Sequence, residues 1–169
     1  MFKKAALFII LIIAVSVLET VGVYFIPVYA VMPQLFVILV IFFAWWNGPL
    51  WGETIGFFSG LVFDALGFGI FGINMLLFTI LGYTVGNVSI NMDKEDVTKQ
   101  IVIVFIMSYI YIAISYIVQL VSLYPERSNV KLLYWIKPFF NAVWTPLVFW
   151  AFRTIGNRWL KINIKNVAK

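Results

Sequence analysis

Long apolar runs alternate with short breaks of glycine, proline or charge, and the breaks divide the chain into six segments. The first run covers about 5–26, follows Lys3 and Lys4, and is closed by Pro27. The second, 31–46, ends at Asn47-Gly48-Pro49, a turn signal. A third, 50–66, leads through GFGIFG at 67–72 into a fourth, 73–90. The charged stretch NMDKEDVTKQ at 91–100 follows, then a fifth run at 101–123. A loop with Pro125, Glu126, Arg127, Lys131 and Lys137 precedes the sixth, 139–157. A spanning helix needs about 20 mostly apolar residues to cross a core of roughly 30 Å. The pattern therefore predicts an all-α integral membrane protein, a bundle of six transmembrane helices forming one domain over 1–169. Segments two and three are short for a crossing, which suits tilt or a re-entrant path.

Composition sharpens this picture. Of the 169 residues 63% are hydrophobic and 11% charged, against an apolar share of roughly 45–50% in soluble domains, and the mean hydropathy is +1.01. Six passes leave no room for a separate soluble domain. Cysteine and histidine are both absent, which removes disulfides, thiolate and imidazole metal ligands, and the Ser-His-Asp and Cys-His forms of nucleophilic catalysis. Neither a cofactor nor a metal nor catalysis is expected. The first run loosely resembles a signal peptide, with Val28-Tyr29-Ala30 as a cleavage site, but it is longer than a typical apolar core of such signals and carries Pro27 at the wrong place. It reads as a helix that stays.

Lysine and arginine set the orientation. With both termini in the cytoplasm, Lys3, Lys4, Lys94, Lys99, Arg153, Arg158, Lys161, Lys165 and Lys169 lie inside and only Arg127, Lys131 and Lys137 outside. The net charge of +5 then reflects topology and attraction to anionic headgroups of the lipid bilayer. Nucleic-acid binding would need a basic patch on a water-facing domain, and none fits. Trp45, Trp46, Trp51, Trp135 and Trp159 fall at segment ends, as an interfacial aromatic belt requires.

Candidate chemistry concentrates between residues 48 and 86. Gly48, Gly52, Gly56 and Gly60 recur every four residues, and Asp64 continues the row; each step of four turns a helix about 40°, so the row winds slowly around one side. Such a small-residue surface lets another backbone approach closely, either within the bundle or from a partner's helix. Gly82 and Gly86 form a lesser version. Gly67 to Gly72 fits G-x-G-x-x-G, but the flanks are membrane segments rather than a strand and a helix of a βαβ unit, so the glycines are read as a turn. Glu53 and Asp64 are eleven residues apart, about 16 Å of rise, too far for one catalytic or metal centre. A carboxylate in a bilayer is costly and should be paired, capped or near an end. Asp64 therefore reads as a hydrogen-bond hub for the 67–72 turn or as an outer contact, and Glu19 as an inter-helix hydrogen-bonder with Asn74 a candidate partner. In the sixth segment Pro146 should kink the helix and Asn141 bond across helices.

Taken in order, Pro33, the G-x-x-x-G-x-x-x-D run through Gly56, Gly60 and Asp64, then Gly72, the Gly82-Tyr83 pair, the charged loop and a final NAVWTPLVFW with Asn141 and Pro146, resemble the rod shape-determining protein MreD family. The resemblance implies a non-enzymatic scaffold subunit of the bacterial cell-elongation complex in the inner membrane, where it helps position lateral peptidoglycan synthesis. It implies a bitopic MreC-like partner and a complex with MreB, RodZ, RodA and a transpeptidase; a homodimer is compatible with it. Gly52, Gly56, Gly60 and Asp64 are then the expected packing surface. Another reading is a substrate-binding membrane subunit of an energy-coupling-factor vitamin transporter. That class needs a polar outer pocket and an Ala-rich first helix, which AALFIILIIAVSVLETVGVYF lacks. A scaffold unrelated to the cell wall is a third.

Overall fold

A computed structural model describes residues 2–25, 33–67, 70–121 and 135–160. The described chain is helical throughout: α1 (Phe2–Phe25), α2 (Leu35–Asn47), α3 (Pro49–Ala65), α4 (Ile73–Ser89), α5 (Val97–Val121) and α6 (Lys137–Leu160), with no strand among the described residues. Residues 28–30 of the signal-like motif, Phe68 and Gly69 of the glycine turn, and Arg127, Lys131, Lys161, Lys165 and Lys169 of the charge count lie outside the described residues, as do the side chains of Lys3, Lys4, Arg158 and Trp159.

Local chemistry explains the boundaries. A single residue, Gly48, joins α2 to α3 with φ 85°, and Pro49 occupies the first turn of α3, where its missing N–H is not needed. Gly72, at φ 93°, opens α4. α6 continues on both sides of Pro146, which faces outward.

α2 is the axis of the bundle. Its sequence LFVILVIFFAWWN is apolar around the whole circumference, and every residue from Phe36 to Trp46 is buried. Such a helix belongs in the centre, and α2 touches each of the other five. Phe42 stands edge-on to Phe43, Phe149 and Phe152 at ring separations of 5.4, 5.1 and 5.4 Å, an arrangement that adds to area burial. Large apolar side chains on the outer helices point the other way: Ile13, Leu50, Phe57, Ile80, Ile106 and Trp150 are all exposed.

The six-span expectation meets a difference in helix length. By length and apolarity alone, only Val97–Val118 within α5 qualifies as a membrane span among the described residues; Phe8–Gly22, Leu35–Asn47 and Ile73–Ser89 are apolar but shorter. The 13 residues of α2 rise only about 20 Å.

Candidate functional site

The glycine row meets the chain's own α4. A Cβ added to Gly52 would fall on the Gly82 carbonyl and 2.8 Å from Ala44 Cβ; on Gly56 it would strike the backbone of Phe78 and Thr79, and on Gly60 that of Asn74 and Met75. From the other side, Gly82 faces the Gly52 backbone and Gly86 faces Gly48 and Pro49. As one index rises by four its partner falls by about four, so α3 and α4 run antiparallel with their backbones in contact. Gly52, Gly56, Gly60, Gly82 and Gly86 are all buried in this seam.

Asp64 closes the end of the seam where α3 ends and α4 begins. Its Oδ2 accepts from the Gly72 N–H at 2.8 Å and the Met75 N–H at 3.1 Å, and its Oδ1 accepts from Asn74 Nδ2 at 2.8 Å. Gly72 is the N-cap of α4 and Met75 lies in its first turn, so a carboxylate from α3 caps α4, satisfying donors that a helix leaves open and opposing the positive end of its dipole. Tyr111 on α5 extends the network by donating its hydroxyl to Asn74 Oδ1 at 2.8 Å.

Glu19 repeats the device on α2. The expected pairing of Glu19 with Asn74 is not formed: Glu19 Oε1 accepts from the Phe36 N–H at 3.2 Å, and Asn74 is taken by Asp64 and Tyr111. The first turn of the central helix stands open at the position Glu19 reaches, and its N–H groups have the greater need of an anion. Asn141 on α6 supplies the rest of that cap. Its Oδ1 accepts from the Gln34 N–H at 2.7 Å, and its Nδ2 donates to Gln34 Oε1 at 3.1 Å and to Ser108 Oγ on α5 at 2.9 Å. Lys137, buried at the start of α6, interacts electrostatically with Glu19.

The opposite end of α2 is held by a cation. Lys94 Nζ donates to the Trp46 carbonyl at 3.2 Å, while Trp45 Nε1 and Gln100 Nε2 donate to the Lys94 carbonyl at 3.2 and 2.7 Å. The Arg153 guanidinium lies 5.4 Å from the centre of the Trp46 ring, a cation–π contact. Partial burial in this loop pushes the Lys94 ammonium below its ordinary pKa.

Five of the six helices, with the half-buried Gln34 just before α2, thus contribute polar groups toward the end where α2, α4 and α6 begin: Glu19, Gln34, Asp64, Asn74, Ser108 with Tyr111, and Asn141. Buried polar groups in a membrane setting mark sites of constraint or function, and here each group named is hydrogen-bonded to a neighbouring element. These groups can fix helix positions and register. Sequence reasoning singled out Glu19, Asp64, Asn74 and Asn141 but missed Gln34, Ser108, Tyr111 and Lys94. The 108/111 pair, three apart on one face of an apolar helix, was the available signal.

The model for the rod shape-determining protein MreD family matches residues 1–155 of the 169-residue chain, and the chain belongs to that family. Membership makes it a membrane protein with a role in rod shape determination. Comparison with curated proteins and with solved structures gave no match.

Proposed function

We propose that the chain crosses the bacterial inner membrane six times, with both termini in the cytoplasm, and acts as a non-enzymatic scaffold of the elongation complex. The observation that carries this reading is the apolar perimeter: exposed Ile, Leu, Phe and Val side chains ring α1, α3, α4, α5 and α6, while α2 is buried among them. In water such a surface is a liability; against lipid it is the expected exterior. Lys94 and Arg153 meet at the C-terminal end of α2, which supports placing that end at the cytoplasmic face.

In this reading the scaffold works through fixed helix positions. It binds a bitopic MreC-like protein by helix contact and takes its place with MreB, RodZ, RodA and a transpeptidase, helping to locate lateral peptidoglycan synthesis. The glycines of the α3–α4 seam and Asp64 serve partner binding indirectly, by holding the outer faces of those helices in place. The family assignment lends no support to the vitamin-transporter reading. The test is purification of the tagged protein from its own membranes in mild detergent, followed by mass spectrometry. Recovery of a bitopic MreC-like protein with wall-synthesis enzymes is expected. Recovery of transporter ATPase subunits with a bound vitamin would overturn the proposal.

A further inference from the structure

One end of α2 and α4 is tied together, and at the other end α5 runs on past the start of α4. At the inner end Ser89 Oγ reaches the Ala44 carbonyl at 3.4 Å and Lys94 reaches the Trp46 carbonyl at 3.2 Å, which ties the ends of α2, α4 and the following loop together. At the outer end Tyr111 bonds Asn74 in the first turn of α4, yet α5 continues to Val121, about 15 Å further. The 17 residues each of α3 and α4 rise about 25 Å, whereas the 22-residue apolar span Val97–Val118 of α5 rises about 33 Å. A typical hydrocarbon core is roughly 30 Å, so the α3–α4 flank falls about 5 Å short of it and α5 does not.

The short flank carries a largely apolar surface, with the half-buried Glu53 near the start of α3. Leu50, Phe57, Phe58, Leu76 and Ile80 are exposed on it. Its exposed hydroxyls and amide bond back to their own helices: Thr54 Oγ1 to the Leu50 carbonyl at 2.7 Å, Thr84 Oγ1 to the Ile80 carbonyl at 2.7 Å, and Asn87 Nδ2 to the Tyr83 carbonyl at 3.1 Å. Polar groups with no water beside them must be satisfied in this way. A helix shorter than the local core is accommodated by thinning of the bilayer.

We propose that the α3–α4 flank is a lipid-facing surface that draws the outer leaflet inward, so that the bilayer beside it is thinner than beside α5. The proposal rests on the six-span reading. Because the chain contains no cysteine, single cysteines can mark both edges of the flank: Leu50→Cys at the inner end of α3 and Phe71→Cys at the outer turn, both at exposed positions. Each variant is reconstituted in phosphatidylcholine vesicles with acyl chains of 14, 18 or 22 carbons and labelled with a charged maleimide present on both sides. If lipid adapts to the protein, both cysteines label at rates within about twofold across the series. A drop of about tenfold or more at either edge in the thicker bilayers would mean that lipid covers it, and would overturn the proposal. Loss of labelling accompanied by disulfide-linked dimers would assign the flank to a second copy and overturn it equally. Sidedness is read separately in cells. Labelling of both positions from the same face of the membrane would instead remove the six-span reading itself.

Discussion

α3 and α4 meet backbone to backbone along most of their length, with side chains joining them at Asp64–Asn74 and Phe63–Phe78, whereas α5 and α6 meet through side chains. Along the first pair, five glycines bring backbone against backbone from Gly48–Gly86 to Gly60–Met75. Along the second, Phe105 stands edge-on to Phe139 at 5.0 Å, Trp135 packs against Tyr109 and Tyr116 at 5.6 and 5.9 Å, and Ser108 bonds Asn141 at 2.9 Å. Lipid offers no hydrophobic drive between helices, so close van der Waals contact and interhelical hydrogen bonds must supply the association. Both pairs use both means, but close contact is made by backbone in the first and by aromatic side chains in the second. A backbone seam cannot yield to an added atom, because neither partner has a rotamer to change. An aromatic interface can repack.

The largest expected effect comes from breaking the seam. Gly56→Leu places a branched side chain where the Phe78 and Thr79 backbones lie. Overpacking in a repackable core costs about 1–3 kcal/mol, and here relief requires parting two helices, so the loss should exceed that range. Thermal unfolding in detergent and the amount of folded protein in membranes check this. The matched change across the other pair, Phe105→Leu, keeps most of the apolar volume and should cost under about 1.5 kcal/mol. Equal losses in the two variants would erase the distinction.

Asp64→Leu comes next. It leaves the Gly72 and Met75 N–H groups and the Asn74 amide without their acceptor, and each unmet buried donor costs about 1–3 kcal/mol. A loss of roughly 3 kcal/mol is expected, allowing for partial relaxation. Asp64→Asn keeps the shape and one acceptor oxygen and should recover about half of it. Urea or thermal unfolding of the detergent-solubilised variants separates the two. The corresponding test on the other pair, Asn141→Ala, removes the bonds to Gln34 and Ser108. It should cost about 1 kcal/mol, because polar contacts between membrane helices average nearer 0.6 kcal/mol.

The same contrast governs what could be read from the chain. The four-residue glycine spacing and Asp64 were legible because a seam along one helix is written in that helix's own residues. The central place of α2 was implicit in LFVILVIFFAWW, a run with no polar face. Its caps were not legible. They come from Glu19, Asn141 and Lys94, separated from the groups they bind by 17, 107 and 48 positions, and no local periodicity reports such distances. The expected Glu19–Asn74 pair failed for this reason: Glu19 caps the first turn of α2, while Asn74 is held by the Asp64 carboxylate and the Tyr111 hydroxyl. Helix length was legible in part: segments two and three read as short for a crossing, and α2 has 13 residues, of which Phe36 to Trp46 are buried.

The smallest effect tests the Lys94 clamp, where two forces on one side chain oppose each other. The Lys94 ammonium bonds the Trp46 carbonyl in the last turn of α2, and a cation at a helix C-terminus is favoured by typically 0.3–1 kcal/mol. Burial acts against it and lowers its pKa from the ordinary 10.5, so desolvation outweighs the dipole. The unfolded chain therefore holds this proton more tightly than the folded one. In the window just below pH 10.5, the unfolded state binds more protons and stability should rise as pH rises. Lys94→Met removes the charge, its desolvation cost and one hydrogen bond together, so the net loss at neutral pH should stay under about 1 kcal/mol. The alkaline rise should vanish with it. Unfolding midpoints measured at pH 7 and between pH 8 and 10 check both outcomes: a steep loss at neutral pH would mean that the bond to Trp46 outweighs the buried charge, and an alkaline slope retained in the variant would assign that slope to another group.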